Sequence, residues 1–119
     1  MKSLLKTLMV AGAMAVSLIA MQGTAAADTQ YASWYGPGFE GSPTASGELY
    51  NYGDYTAASL QYPLGTELLV SYGGYSTVVV VNDRGPYVGG REIDLSQSAA
   101  EEIGLTYAGT DYVDVQVIE

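Results

Sequence analysis

VVVVNDRGPYVGGREIDLS, residues 78–96, joins a run of four valines to a Gly-Pro turn and contains both arginines of the chain. Valine favours strands, so the run predicts a strand that ends near Asp83, where the carboxyl group meets the turn. Because the apolar residues are consecutive and do not alternate with polar ones, we predict that both faces of this strand are buried, as in a barrel or a sandwich. Asp83 and Arg84 are adjacent in an extended segment and are therefore expected to point to opposite faces.

Further strands are predicted on both sides of this stretch, because runs rich in β-branched and aromatic residues alternate there with turn-forming ones. Gly73 and Gly74 separate two of these runs and suit a tight hairpin, in which both central residues can need positive φ. Residues 40–53 are rich in Gly, Ser, Pro and Thr, which indicates a long loop. The predicted strands are 29–35, 67–72, 76–82 and 111–118.

One helix is predicted directly after the stretch. Ser96 or Ser98 can cap its start, and Gly104 can end it. Ser98 and Glu101 have the spacing of a capping box. The apolar stripe of this helix would consist of Ala99, Ala100 and Ile103. Together these segments predict a compact, mostly β barrel with one short helix.

Residues 1–27 have the layout of a secretory signal peptide, with two lysines, an apolar run from Leu8 to Met21 and a small-residue finish. We expect cleavage after Ala27, which leaves residues 28–119 as a single domain outside the cytoplasm. A membrane-anchoring helix is the alternative, and the small-residue finish argues against it. No cysteine follows the apolar run, so we expect no lipid attachment and no membrane anchor after cleavage.

Charge and composition exclude several classes of function. In residues 28–119 two arginines face thirteen acidic residues, a formal net charge of −11, which repels nucleic acid and anionic membranes. The chain has no histidine and no cysteine, which excludes a Ser-His-Asp triad, a thiol nucleophile and the commonest zinc ligands. We expect no metal and no cofactor. An enzyme with this composition must use Asp, Glu or Tyr for proton transfer.

Three charged residues are candidates for chemistry, and a fourth is interpreted as structural. Asp83 is the strongest candidate for a catalytic acid, because the end of a buried strand partly removes it from water, although a turn aspartate that bonds its own backbone is the alternative. Glu48 lies in the long loop, where functional and merely solvated residues are both common. Arg84 can bind a sugar hydroxyl or carboxylate with its planar guanidinium, or pair with a nearby acid. Asp94 is interpreted as structural, tying the stretch to the start of the helix.

The chain contains eleven tyrosines, one tryptophan and one phenylalanine. Trp34, Tyr35 and Tyr87 lie beside glycine-containing turns and are predicted to bind sugar rings, since aromatic side chains offer an apolar face with a polar handle. Most of the other tyrosines are interpreted as ordinary strand residues.

Five motifs follow one another along residues 31 to about 118: ASWYGPGFEG, PTASGE, TAASLQYPLGT, VVVVNDRGPYVGGREIDLS and AAEEIGL. In this order they resemble the rare lipoprotein A family. The resemblance implies a mainly β fold, a six-stranded double-psi β-barrel with one or two short helices, which expansins and barwins share. It also implies a bacterial protein of the periplasm or cell wall that binds peptidoglycan glycan strands, and we expect a monomer.

The activity that the resemblance implies is that of a lytic transglycosylase, which cleaves glycan strands poor in stem peptides to 1,6-anhydromuramoyl ends. The family motifs place the catalytic acidic residues at Glu48 and Asp83, with Asp83 as the acid and Glu48 as its partner, or the reverse. The family's histidine after TAA corresponds to Ser59 here, which we group with the substrate-binding residues. The alternative function is a non-catalytic, expansin-like module that binds or loosens the cell wall.

Overall fold

The computed structural model describes residues 27–118, which form six strands and two short helices. The strands are β1 (Asp28–Trp34), β2 (Thr56–Ser59), β3 (Glu67–Tyr72), β4 (Tyr75–Asp83), β5 (Ile93–Leu95) and β6 (Asp111–Ile118), and the helices are α1 (Gln97–Ile103) and α2 (Leu105–Ala108). The predicted signal peptide lies, apart from its last residue, outside the described residues. Within residues 27–118 no helix is long and apolar enough to cross a membrane.

The strands close into a barrel in the order β1-β5-β2-β4-β3-β6. The pairs β1–β5 and β2–β4 are parallel, and the other pairs, including the closing pair β6–β1, are antiparallel. This arrangement confirms the predicted mainly β, six-stranded barrel with one or two short helices, of which the structure has two. The strands β2 and β5 are short, and the sequence patterns alone did not indicate them.

The interior of the barrel is filled by aliphatic side chains, because each strand points alternate residues inward. The inward residues of the strands include Ala57, Leu68, Val70, Val79, Val81, Ile93, Leu95, Val113 and Val115, all essentially fully buried. The two helices add Ala99, Ala100, Ile103 and Leu105 to the same core. Every residue that precedes or follows an inward one on a strand therefore faces out of the barrel.

The expectation that both faces of the valine strand are buried is wrong. Val79 and Val81 are fully buried, but Val78 and Val80 are 45% and 36% exposed. The outward face of β4 is thus only partly covered by other parts of the described chain. Valine suits a strand whether or not its side chain is buried, so a run of valines does not distinguish the two cases.

The predicted hairpin is confirmed. Gly73 and Gly74 have φ values of +58° and +89°, and they connect β3 to β4 directly after the last paired residues, Tyr72 and Tyr75. Both central residues of this turn adopt the left-handed backbone conformation, which is energetically unfavourable for any residue with a Cβ atom.

The predicted ends of α1 are partly confirmed. Gly104 ends the helix in a left-handed conformation, and Ser96 precedes its first residue. The capping box is wrong, because Ser98 already lies inside α1 and Glu101 accepts a hydrogen bond from Gln97 Nε2 at 3.1 Å. The Ser96 hydroxyl donates to the carbonyl of Asp54 in the long loop and accepts the N–H of Thr56 on β2, so it joins the loop to the barrel.

Gly74→Ala tests the turn. A Cβ atom at Gly74 would meet open space, so the cost comes from the backbone conformation alone, and we expect the free energy of unfolding to fall by about 1–2 kcal/mol. Gly89→Ala is the control, because Gly89 is equally open and lacks a positive φ; its unfolding free energy should change by less than about 0.5 kcal/mol. Equal losses in the two variants, measured by urea unfolding, would contradict the turn assignment.

Candidate functional site

An open cleft of about 580 Å³ lies on the outer face of the barrel. Its floor includes Ala58, Asp83 and Asp94. Asp94 lies between two core residues, Ile93 and Leu95. Residues from the long loop after β1 form one wall, and residues 84–91, which follow β4, form the other. Residues 78–96 therefore contribute to both the floor and one wall of the cleft.

A row of side chains crosses four strands at the floor of this cleft. Ser33 on β1 is paired with Asp94 on β5, Asp94 with Ala58 on β2, and Ala58 with Asp83 on β4. Paired residues share one face of a sheet, so the two aspartates stand on either side of a methyl group. With neighbouring strands about 4.8 Å apart, their Cα atoms lie about 10 Å apart.

A β-bulge brings Asp83 into this row. Ala57 is paired with Val81 and Ala58 with Asp83, so Asn82 is the extra residue on β4. Without the bulge, Asn82 would be paired with Ala58 and Asp83 would turn toward the opposite face. Bulges next to functional sites commonly redirect a side chain in this way.

Both oxygens of the Asp83 carboxyl group accept hydrogen bonds. Tyr35 Oη donates to Oδ2 at 2.6 Å, and the backbone N–H groups of Ala45 and Arg84 donate to Oδ1 at 2.9 and 2.8 Å. The contact from Arg84 is the local turn interaction that the sequence allowed, but the other two come from the loop and from the end of β1. These three donors fix the orientation of the Asp83 carboxyl group in the cleft.

Tyr35 holds Asp83 in place. Its ring is 8% exposed and stacks on Tyr50 with ring centroids 4.4 Å apart, while Phe39 meets it edge-on at 5.5 Å. Burial, followed by the hydrogen bond to Asp83, raises the pKa of Tyr35. The phenol therefore stays protonated and remains a donor to the carboxylate, which is a different task from the predicted binding of a sugar ring.

The other predicted site residues are distributed unevenly. The cleft brings together five of the seven, namely Trp34, Tyr35, Asp83, Arg84 and Tyr87. Tyr87 is 79% exposed at the mouth of the cleft. Arg84 lines the wall and directs Nη1 to the carbonyl groups of Ser59 and Tyr62 at 2.7 and 2.6 Å, which fastens the end of β2 to the cleft.

The structure does not bring Ser59 or Glu48 into the lining of the cleft. The Ser59 side chain is fully buried, and its hydroxyl accepts the N–H groups of Gln61 and Tyr62 at 3.0 and 3.3 Å. A direct contact between Ser59 and a substrate therefore does not fit its position. Glu48 is exposed on the loop and accepts a hydrogen bond from Asn82 Nδ2 at 3.2 Å, so it touches the bulge at the rim of the cleft.

Asp94 is the site residue that the sequence interpretation missed. It is half-buried in the cleft, and its Oδ1 accepts a hydrogen bond from Ser33 Oγ at 2.9 Å. Burial raises the pKa of Asp94, the Ser33 bond and the charge of Arg91 lower it, and the charge of Asp83 raises it further. Its place between Ile93 and Leu95 was the available signal, because alternation turns the residue between two core side chains outward.

Within residues 27–118 no cluster of three or more acidic side chains is placed to hold a metal ion. The chemistry of the cleft rests on its two carboxyl groups, the phenol of Tyr35, and the arginines Arg84 and Arg91. Such a set can exchange protons with a bound hydroxyl-rich molecule.

Comparison with known proteins shows the family. A family model described as lytic transglycolase matches residues 27–117. A probable endolytic peptidoglycan transglycosylase RlpA from Synechocystis is 48% identical over 90 residues, which cover 74% of this chain and 28% of that protein. The endolytic peptidoglycan transglycosylase RlpA of Vibrio cholerae is 48% identical over 89 residues, covering 73% and 34%, and the probable RlpA of Aquifex aeolicus is 44% identical over 90 residues, covering 74% and 40%.

The chain thus spans between 28% and 40% of the length of these three relatives. Among solved structures, the Streptomyces papain inhibitor has the same fold, with a TM-score of 0.66 and 21% identity over 82% of this chain and 98% of that one.

The variant Asp94→Asn tests whether the pKa of Asp94 is raised in the folded state, through the pH dependence of the free energy of unfolding. Because the pKa of Asp94 is raised in the folded state, the stability linked to its proton is complete below the ordinary value of 3.8 and is lost as the pH rises through the folded value. Asparagine holds no such proton and can still accept the Ser33 hydroxyl. We expect the variant to gain stability relative to the wild type as the pH rises from below 3.8 through the folded-state pKa of Asp94, measured by urea unfolding.

Asp114→Asn is the matched control, because Asp114 is an exposed strand aspartate that also accepts a hydroxyl, from Thr29 at 3.1 Å. It corrects for the loss of one negative charge from an acidic protein. A relative stability of Asp94→Asn that stays constant or falls as the pH rises would contradict the assignment.

Proposed function

This chain belongs to the lytic transglycolase family of RlpA-like double-psi β-barrels, and from that membership we propose that it is a lytic transglycosylase acting on the glycan strands of peptidoglycan. The observation that supports this most is that one open cleft holds both Asp83, which accepts hydrogen bonds at both carboxyl oxygens, and a second, half-buried aspartate. Because the chain covers only a part of its relatives, the proposal concerns the activity of the barrel itself.

The reaction suits a site without histidine or cysteine. In a lytic transglycosylase the 6-hydroxyl of a muramoyl residue attacks the anomeric carbon of the same residue, so the product is a 1,6-anhydromuramoyl end and no water is consumed. An intramolecular nucleophile of this kind has an effective concentration of about 10⁵ M or more. The protein needs only to protonate the leaving oxygen and to accept the proton of the hydroxyl.

The residues around the cleft divide these tasks. Asp83 is the central carboxyl group, held by Tyr35, and Glu48 supports it from the rim through its contact with Asn82. Arg84 and Tyr87 line the opposite wall, where a guanidinium and an exposed phenol ring suit sugar hydroxyls and ring faces. Trp34, also in the lining, is the remaining residue that we assign to binding of the strand.

The second candidate function is a non-catalytic module that binds or loosens the wall, as expansins do. It is favoured by Ser59, which occupies the position of the family's histidine and is fully buried with its hydroxyl bonded to backbone N–H groups. Serine cannot take up a proton near neutral pH. In this case the same cleft would hold glycan without cutting it.

The proposed substrate implies where in the cell the protein acts. Peptidoglycan lies outside the bacterial cytoplasm, so we propose an extracytoplasmic protein of the periplasm or cell wall, with residues 1–27 as a signal peptide and residues 28–119 as the mature domain. A single barrel contains the whole cleft, which is consistent with action as a monomer. The acidic surface disfavours nucleic acid as a partner.

Incubation of the purified protein with peptide-free glycan strands, followed by mass spectrometry, tests the activity. We expect new 1,6-anhydromuramoyl ends, formed roughly 10²–10⁴-fold more slowly by Asp83→Asn because a proton-transfer group is lost. Asp114→Asn, which lies outside the cleft, should retain the wild-type rate.

Two results would contradict the proposal in different ways. Sedimentation of the wild type with the polymer and no new ends would identify the binding module. Ordinary reducing ends would show that water is the nucleophile and that the enzyme is a hydrolase.

A further inference from the structure

Asp94 is a second carboxyl group in the cleft, and the family resemblance assigned it no role. We propose that Asp94 and Asp83 form the proton-transfer pair of the site, with Asp94 as the proton donor to the leaving oxygen and Asp83 as the proton acceptor. The inference rests on the proposed transglycosylase function and assigns the two proton transfers within it.

The geometry of the sheet supports the pair. Ala58 is paired with Asp94 on one side and with Asp83 on the other, and all three line the cleft. Carboxyl groups carried on Cα atoms about 10 Å apart can lie within the range of roughly 5–9.5 Å that glycan-cleaving pairs use. The alanine methyl between them leaves the space in which a glycosidic bond could rest.

The hydrogen bonds of the two carboxyl groups differ. Asp83 accepts from one phenol and two backbone N–H groups, which together stabilise an anion. Asp94 accepts from the neutral hydroxyl of Ser33. Two carboxyl groups placed in such unlike surroundings take opposite roles, one as acid and one as base.

The surroundings of Asp94 favour its neutral form, chiefly because the carboxyl group is buried. The nearby titratable groups are Asp83 from β4, Arg91 from the wall, and the phenols of Tyr35 and Tyr50. Burial raises the pKa of Asp94 most, the Ser33 hydrogen bond and the charge of Arg91 lower it, and the charge of Asp83, the smallest of the four effects, raises it. A group in this state can give a proton at a higher pH than an exposed aspartate can.

The proposed step is balanced without water. The Asp94 proton passes to the glycosidic oxygen as its bond to the muramoyl anomeric carbon breaks. A bond forms between that carbon and the muramoyl 6-oxygen, whose proton passes to the Asp83 carboxylate. After the products leave, exchange with solvent returns the proton to Asp94 and restores the ionised Asp83.

Glu48 has a different place in this scheme. It is exposed at the rim and contacts the bulge residue Asn82, so it acts on Asp83 through the backbone of β4. Glu48 is therefore a positioning residue. Glu48→Ala, which removes the contact with the Asn82 amide, should lower the rate without changing the form of the pH profile, whereas Glu48→Gln, which can still accept that amide, should retain the rate.

The test is the pH dependence of kcat/KM for the formation of anhydro ends. The wild-type profile should have an alkaline limb on which the rate falls as Asp94, the proton donor, loses its proton. Asp94→Asn should lose roughly 10²–10⁴-fold in rate and lose the alkaline limb, while still sedimenting with glycan. Asp83→Asn should lose a similar factor in rate but keep the alkaline limb, and Asp114→Asn should match the wild type.

The variant Ser33→Ala gives a second test, in which the pH profile is shifted and Asp94 itself is kept. The hydroxyl of Ser33 lowers the pKa of Asp94, so its removal should move the alkaline limb to higher pH. A structural role for Asp94 alone would not predict this shift.

The outcomes separate the inference from the function on which it rests. If the wild type forms anhydro ends and Asp94→Asn retains its rate within about tenfold, or keeps its alkaline limb, then Asp94 is not the donor and the inference fails. If the wild type forms no such ends, the proposed function fails as well.

Discussion

The pairing of Ala58 with an aspartate on each side is the constraint on which the cleft depends. Strand β2 lies between β5 and β4, so the spacing of the sheet sets the separation of Asp94 and Asp83. Any larger side chain at Ala58 would occupy the space between the carboxyl groups. The same alanine packs against Tyr35 and Tyr50, which links the floor of the cleft to the aromatic residues that hold Asp83.

The long loop after β1 is part of the site because several hydrogen bonds join it to the barrel. The N–H of Ala45 binds Asp83 and the N–H of Ser46 binds the carbonyl of Asn82. At the other end of the loop, Ser96 donates to the carbonyl of Asp54, and the phenol of Tyr50 accepts the N–H of Gln97. Buried polar groups that are satisfied in this way favour a cleft that is formed before any ligand binds.

Long, patterned segments were predictable from the sequence, and short ones were not. The strands at 67–72 and 111–118 have the predicted bounds, and Gly73 and Gly74 form the predicted turn. The strands β2 and β5 contain four and three residues, too few for a periodicity to emerge. Asp83 could be identified as a candidate from the sequence, because a turn directly follows its strand. Asp94 belongs to the short strand β5, and its role depends on pairing with distant residues. The bulge at Asn82 is likewise a product of pairing, and no local pattern encodes it.

The central claim is that the carboxyl groups of Asp83 and Asp94 share one space and influence each other. NMR titration of the Asp94 side-chain carboxyl carbon, in the wild type and in Asp83→Asn, measures this directly. Since the negative charge of Asp83 raises the pKa of Asp94, the account predicts a lower pKa for Asp94 in the variant. A pKa of Asp94 that is unchanged or higher in Asp83→Asn would show that the two groups do not act as a pair.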